Sequence, residues 1–191
     1  MVHPRRSKTW SSLTRLPSLK SSSECSHSVV SWVRLSLVRV INHAADTDIQ
    51  AADLIIQLFI TDINYHYYII YPPSFLQDYH IWWDRRNHDK TISLQYTCLL
   101  AMLCSGTMQH VGGDLQKAVE AELSDTSDSI SDKLHSAMRE LTSVIPVGHY
   151  HMMNVQRLLH SAYWYKSEAR FVEAWHVLNQ AILEGKELGM L

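Results

Sequence analysis

The chain has 191 residues, 46% of them hydrophobic, and a formal net charge of −2. That length supports one domain with a sizeable core, and the charge balance gives no overall attraction to nucleic acid or to an anionic membrane. Three cysteines (Cys25, Cys98 and Cys104) without a CxxC spacing exclude a disulfide framework and a zinc knuckle, and fit a reducing compartment.

Residues 1–45 read as a basic, Ser-rich tail. Residues 1–40 hold seven Lys/Arg against the single acid Glu24, while the rest holds ten basic and eighteen acidic side chains. Residues 1–28 have too little apolar surface to offset chain entropy, so disorder is expected there. The same composition suits a plain tail, a nuclear-import segment or an organellar transit peptide. The run VVSWVRLSLVRVI (29–41) is broken by Arg34 and Arg39 and is too short to span a membrane.

A helical body is expected over residues 46–191. Asp46-Thr47-Asp48 offers cap oxygens, and Ile49, Ala52, Ile56, Phe59, Ile60 and Ile63 follow at helical spacing. The stretch INYHYYIIYPPSFLQDYHIWW (63–83) is dense in aromatic rings. Pro72-Pro73-Ser74 is expected to stop one helix and cap the next, with Phe75, Tyr79, Trp82 and Trp83 on one face. Most of these rings thus repeat as a core stripe, although a ligand cavity beside them stays open as a reading.

Residues 92–104 are apolar nearly all round, which indicates a buried helix, and a polar interruption is expected from Gly106 to Asp114. Leu115, Val119 and Leu123 make a short amphipathic piece. Ile130, Leu134, Ala137, Met138, Leu141 and Ile145 make a longer one, ended by Pro146. Two further stripes follow. The first is Val155, Leu158, Leu159, Ala162 and Tyr163; the second is Phe171, Ala174, Trp175, Leu178, Ala181, Ile182, Gly185 and Leu188. The short link Lys166–Ala169 between them predicts an antiparallel helical hairpin. Gly189 is placed to close the last helix in a left-handed conformation, with Met190 behind it. No segment alternates as a strand. The fold class is all-α, an irregular bundle of antiparallel helix pairs.

No residue pattern points to catalysis. GxSxG, HExxH, GxGxxG and phosphate-loop motifs are absent. His80, Asp84 and His88 share a helical face, but the outer two stand about 12 Å apart along the axis, too far for one ion. His149 and His151 flank Tyr150 just beyond Pro146-Val147-Gly148, where a loop is expected rather than a rigid site. Base stacking needs a positive groove, and residues 58–83 contain no Lys or Arg.

Three blocks in order resemble a known family. LFITDINYHYYIIYPPSFLQDYHIWW (58–83) carries an aromatic stretch, a Pro-Ser-Phe corner and a Tyr/Trp helix. SLQYTCLLAMLCSG (93–106) follows, and then NVQRLLHSAYWYKSEARFVEAWHVLNQAILEGKELGML (154–191), a Gln-bearing helix and an Ala-Trp helix ending in Leu-Gly. Together these resemble the front part of the fungal-specific transcription factor domain, the middle homology region of fungal binuclear-zinc-cluster regulators. The motif positions are Tyr71, Pro73, Ser74, Phe75, Tyr79, Trp83, Gln156, Ala174, Trp175, Leu188 and Gly189, expected in the core. Two departures stand out: only Cys25 lies upstream, where the family has a six-cysteine zinc cluster, and the family's turn glycine between Lys166 and Arg170 is missing.

The resemblance implies a nuclear transcription regulator without its own DNA reader, one of a kind often found beside biosynthetic gene clusters. Zinc is expected only if a cysteine cluster lies outside this chain. DNA contact would be indirect or through a missing N-terminal segment. The resemblance further implies protein partners or a homodimer to cover the last helix, and a small-molecule inducer, with no membrane association. The competing reading is a tetratricopeptide-like interaction module, suggested by ARFVEAWHVLNQAI in the closing hairpin.

Overall fold

The computed structural model describes residues 51–87, 93–146, 148–149 and 151–190. The basic tail, Cys25 and the Asp46–Asp48 cap lie outside the described residues, as do His88 and Tyr150. Seven helices occupy the described residues, and no strand occurs among them. Helix α1 is compound: Ala51–Leu58 is α-helical, Phe59–Ile63 is a π-helical turn, and Asn64–Tyr67 completes it. Helix α2 spans Pro72–Asn87, α3 Leu94–Met108 and α4 Gly113–Leu123. Helix α5 spans Ser127–Ser143, α6 Met152–Ser167 and α7 Phe171–Glu187. The all-α expectation is met.

The core is built around α3. Twelve of its side chains are buried, from Tyr96 to Met108, as its all-round apolarity requires. It starts where Ser93 accepts a hydrogen bond from the Tyr96 amide. It continues through Gly106, where a polar interruption was expected, because Thr107 and Met108 are themselves buried and Thr107 Oγ1 donates to the Leu103 carbonyl at 2.8 Å. Helix α3 packs against α5, α6 and α1.

The α3–α5 pair is antiparallel and close at two serines. Ser105 Oγ donates to the Ser131 carbonyl and Ser131 Oγ to the Ser105 carbonyl, each at 2.8 Å. Trp164 of α6 then donates its indole N–H to Ser131 Oγ at 2.9 Å, and its ring stacks on His135 with centroids 3.7 Å apart. Small side chains let two backbones approach, and the reciprocal hydroxyls keep every polar group there paired. Ile130, Leu134, Ala137, Met138 and Leu141 of α5 are buried as the stripe predicts.

Helices α6 and α7 form the expected antiparallel hairpin. Its turn is a Schellman motif: the Ala169 amide donates to the Lys166 carbonyl and the Arg170 amide to the Tyr165 carbonyl. Ala169 holds φ +55°, a left-handed conformation that suits glycine better than alanine. The end of α7 repeats the motif with the better residue. Gly189 at φ +71° donates to the Lys186 carbonyl and Met190 to the Gly185 carbonyl, as the sequence predicts.

Candidate functional site at the aromatic corner

The aromatic run divides at the prolines. Pro72 and Pro73 open α2, where a missing N–H costs nothing. Ser74 is not a cap; it lies inside the first turn and donates its hydroxyl to the Tyr71 carbonyl at 3.2 Å. Beyond the corner, Phe75, Tyr79 and Trp82 are buried. Tyr79 donates its phenol to Asp53 of α1 at 2.6 Å, and Trp82 donates its indole N–H to Thr97 of α3 at 3.0 Å. Tyr96 donates to the Phe75 carbonyl at 3.1 Å. Before the corner the rings face outward: Tyr65, Tyr68 and Tyr71 are all more than half exposed. The expectation that most of the run is core therefore holds only after Pro73.

The corner itself is fixed by two amides. Asn64, almost fully buried, accepts from the Ile70 amide at 3.1 Å and donates to the Ile70 carbonyl at 2.9 Å. Gln156 of α6 donates to the Ile69 carbonyl at 3.1 Å. Tyr68 takes the left-handed conformation (φ +49°) that the reversal needs. Gln156 was expected only as a core motif position and is half-buried here; Asn64 was not singled out, because a single Asn carries no periodicity.

The motif positions do not form one cluster. Phe75, Tyr79, Trp83 and Gln156 gather around the corner and α2, whereas Ala174, Trp175, Leu188 and Gly189 lie on α7 and its cap. Several are not core. Tyr71 is 69% exposed, Trp175 is 62% exposed, and Pro73, Ser74, Leu188 and Gly189 lie on the surface. The reason is angular. Helix α6 covers the side of α7 bearing Ala181 and Gly185, and Trp175 stands a step of about 100° from Ala174. Phe171, Val172, Trp175, Ile182 and Leu183 together form an outward apolar face on α7.

The α6–α7 interface holds polar groups that the stripes gave no sign of. Arg157 is buried, donating to Asn154 Oδ1 at 2.9 Å, and Asn154 donates in turn to the buried Glu184. Gln180 also donates to Glu184, at 3.1 Å. Burial lowers the Arg157 pKa, partly offset by Cys98 and Glu184. Burial pushes the Cys104 thiol up to about 12 and raises Cys98 too, so neither is an activated nucleophile. Among the described residues no group of three His, Cys, Asp or Glu side chains converges to hold a metal.

Two cavities flank the aromatic run. One, of about 440 Å³, lies between α1 and α2 against Tyr79, His80 and Trp83. The other, a cleft of about 310 Å³, lies beside the π turn, walled by Leu58, Asp62, Ile63, Tyr67, Val111 and Leu115 among others. Next to that cleft is a small chamber of about 20 Å³ whose lining includes His160, Gln109 and Phe59. The two share Ile63, Tyr67, Thr107 and His110 as walls. His160 is 7% exposed, and burial lowers its pKa to about 4, so its imidazole is neutral near pH 7. His160 Nε2 and Gln109 Oε1 are buried and have no hydrogen-bond partner among the described residues.

Comparison with known proteins gives two fungal relatives. The chain is 24% identical over 147 residues to transcription factor xilB of Penicillium rubens, covering 74% of this chain and 21% of that protein. It is 25% identical over 140 residues to the probable transcription factor sol4 of Alternaria solani, covering 72% of this chain and 25% of that protein. The chain thus spans about a fifth to a quarter of the length of these curated relatives. No family model matches the chain, and no solved structure does.

Proposed function

We propose that these residues are the helical regulatory region of a fungal-type transcription regulator, acting in the nucleus through protein contacts. The likeness to two fungal transcription factors, neither named as an enzyme, supports the class of function. The observation that carries the mode of action is the outward apolar face of α7. Phe171, Trp175 and Leu183 are each more than 60% exposed on one side of a well-formed helix. A large exposed patch rich in aromatic residues marks a contact surface.

The proposed occupant of that face is a protein partner, since its exposed side chains are large and apolar and carry no charge. Base readout lies outside these residues, since three cysteines cannot build a six-cysteine zinc cluster. Genes of a biosynthetic cluster are the proposed targets. A tetratricopeptide array is disfavoured by the packing: α5 docks on α3 and only slightly on its chain neighbour α4, whereas solenoid repeats stack in sequence.

The test tethers the chain to a heterologous DNA-binding module in a fungal host carrying a reporter. Reporter output should change several-fold, and the double variant Trp175→Glu, Leu183→Glu should abolish that change while leaving helical circular dichroism intact. An unchanged reporter with the fusion present in the nucleus rejects the reading. A concentration-dependent dimer in light scattering, lost in the same variant, would assign the α7 face to a second copy instead.

A further inference from the structure

The π turn of α1 and the unpartnered pair beside it belong to one place in the molecule. π turns insert an extra residue into a helix and recur at functional sites. Here the turn supplies Asp62 and Ile63 to the cleft and Phe59 to the chamber next to it. Two residues of that chamber's lining, His160 and Gln109, each carry a buried polar atom without a partner, and such groups are rare in folded proteins unless something pairs with them.

We propose that this cleft binds an uncharged aromatic molecule carrying a hydroxyl, with its ring in the outer cleft and its hydroxyl between His160 Nε2 and Gln109 Oε1.

Each part of the chemistry has a source on the protein. The Gln109 amide nitrogen donates to Glu168 Oε1 at 2.6 Å, which fixes its oxygen as an acceptor facing inward. An acceptor so placed needs a donor such as O–H. Neutral His160 offers Nε2 as either donor or acceptor, and its ring is held edge-on against Phe59 with centroids 5.3 Å apart. A chamber of about 20 Å³ admits a group the size of a water molecule and no ring. The outer cleft of about 310 Å³ does admit one, between Leu58, Ile63, Val111 and Leu115. No Lys or Arg lines either space and Asp62 does, so a carboxylate ligand is disfavoured.

This deepens the regulatory reading and rests on it for biological purpose, since a bound ligand would brace α1, α3 and α6 together. The binding itself stands apart from it. The test titrates the full chain with β-naphthol, naphthalene and β-naphthoate, following the imidazole resonances of His160 by NMR. β-Naphthol should saturate and shift His160. Naphthalene should bind about tenfold or more weakly, because it leaves both buried groups unpaired. β-Naphthoate should not bind.

Leu115→Trp, which fills the outer cleft, should abolish the response, and His160→Phe, which keeps the ring stack, should remove the affinity advantage of β-naphthol over naphthalene, read from the fluorescence of the probes themselves. Should His160→Phe fail to fold, the comparison of the three probes on the unaltered chain decides the matter. Equal affinity for β-naphthol and naphthalene, or shifts that spare His160, would overturn the proposal. So would a failure of every probe to bind, which would reduce the chamber to a place for one water. None of those results would alter the reporter outcome on which the regulatory reading depends.

Discussion

Ala169 and Gly189 occupy the same position of the same motif at the ends of consecutive helices, and only one of them suits it. Both are left-handed, at φ +55° and φ +71°, and both sit in a Schellman turn with its two characteristic hydrogen bonds. A Cβ in that conformation crowds the following carbonyl and costs about 1–2 kcal/mol. Ala169 is exposed, so its methyl group gains little in packing that would offset the cost. Ala169→Gly is expected to raise stability by about 1 kcal/mol, after the greater unfolded-state freedom of glycine is deducted. Urea denaturation reads this directly as a higher midpoint at unchanged slope. The missing turn glycine was visible in the sequence; that the backbone keeps the glycine conformation without it was not. Asn64 shows the opposite limit. Its two hydrogen bonds to Ile70 close the aromatic corner, yet nothing in residue spacing marks it apart from other asparagines.

Between elements, the decisive contacts are polar groups inside apolar stripes. Ser131 accepts from the Trp164 indole and donates to the Ser105 carbonyl, tying α3, α5 and α6 at one point. Ser131→Ala would leave a buried indole N–H without its acceptor, and it should cost about 2 kcal/mol, within the usual range for an unpaired buried donor. The measurement is a urea midpoint with tryptophan emission recorded on the native state. A change near zero would mean that the serine pair is incidental to the packing. Periodicity located α3, α5, α6 and α7 well, because each has a buried stripe long enough to count. It failed where two faces of one helix are both apolar. On α7 the single stripe drawn from Phe171 to Leu188 splits in two: Ala181 and Gly185 face α6, while Phe171, Trp175 and Ile182 point outward. Hydrophobic spacing says that a face wants cover, not which neighbour covers it. The cleft was open to sequence reading only as a possibility beside the aromatic run. Its polar pair, His160 and Gln109, comes from α6 and the end of α3, 51 residues apart in sequence.

For the whole molecule, those buried imidazoles set a pH limit. His135, stacked on Trp164, and His160, against Phe59, are both held at about 4. Burial is the largest cause in each. For His135 it is reinforced by Arg139, Arg170 and Arg157, whereas burial alone acts on His160. In the unfolded chain a histidine titrates near 6.5. Between these values the unfolded state binds more protons than the native state, so stability rises with pH across that window and falls as pH drops through it. The stabilisation is therefore complete above about pH 6.5 and lost progressively toward pH 4, at roughly 3 kcal/mol for each histidine. Two such groups together approach the total stability of a small domain, about 5–15 kcal/mol. Urea midpoints measured near pH 7.5, 6 and 5 should therefore fall steeply, with a limiting slope of about 2.7 kcal/mol per pH unit between pH 6 and 5. Glu120, Asp125 and Glu173, lowered by hydrogen bonds from Ser127, Lys133 and Arg170 respectively, act in the same sense but further into acid. A midpoint flat from pH 7.5 to 5 would show that both imidazoles charge within the native fold, which their burial among Trp164, Tyr165 and Phe59 forbids without local opening.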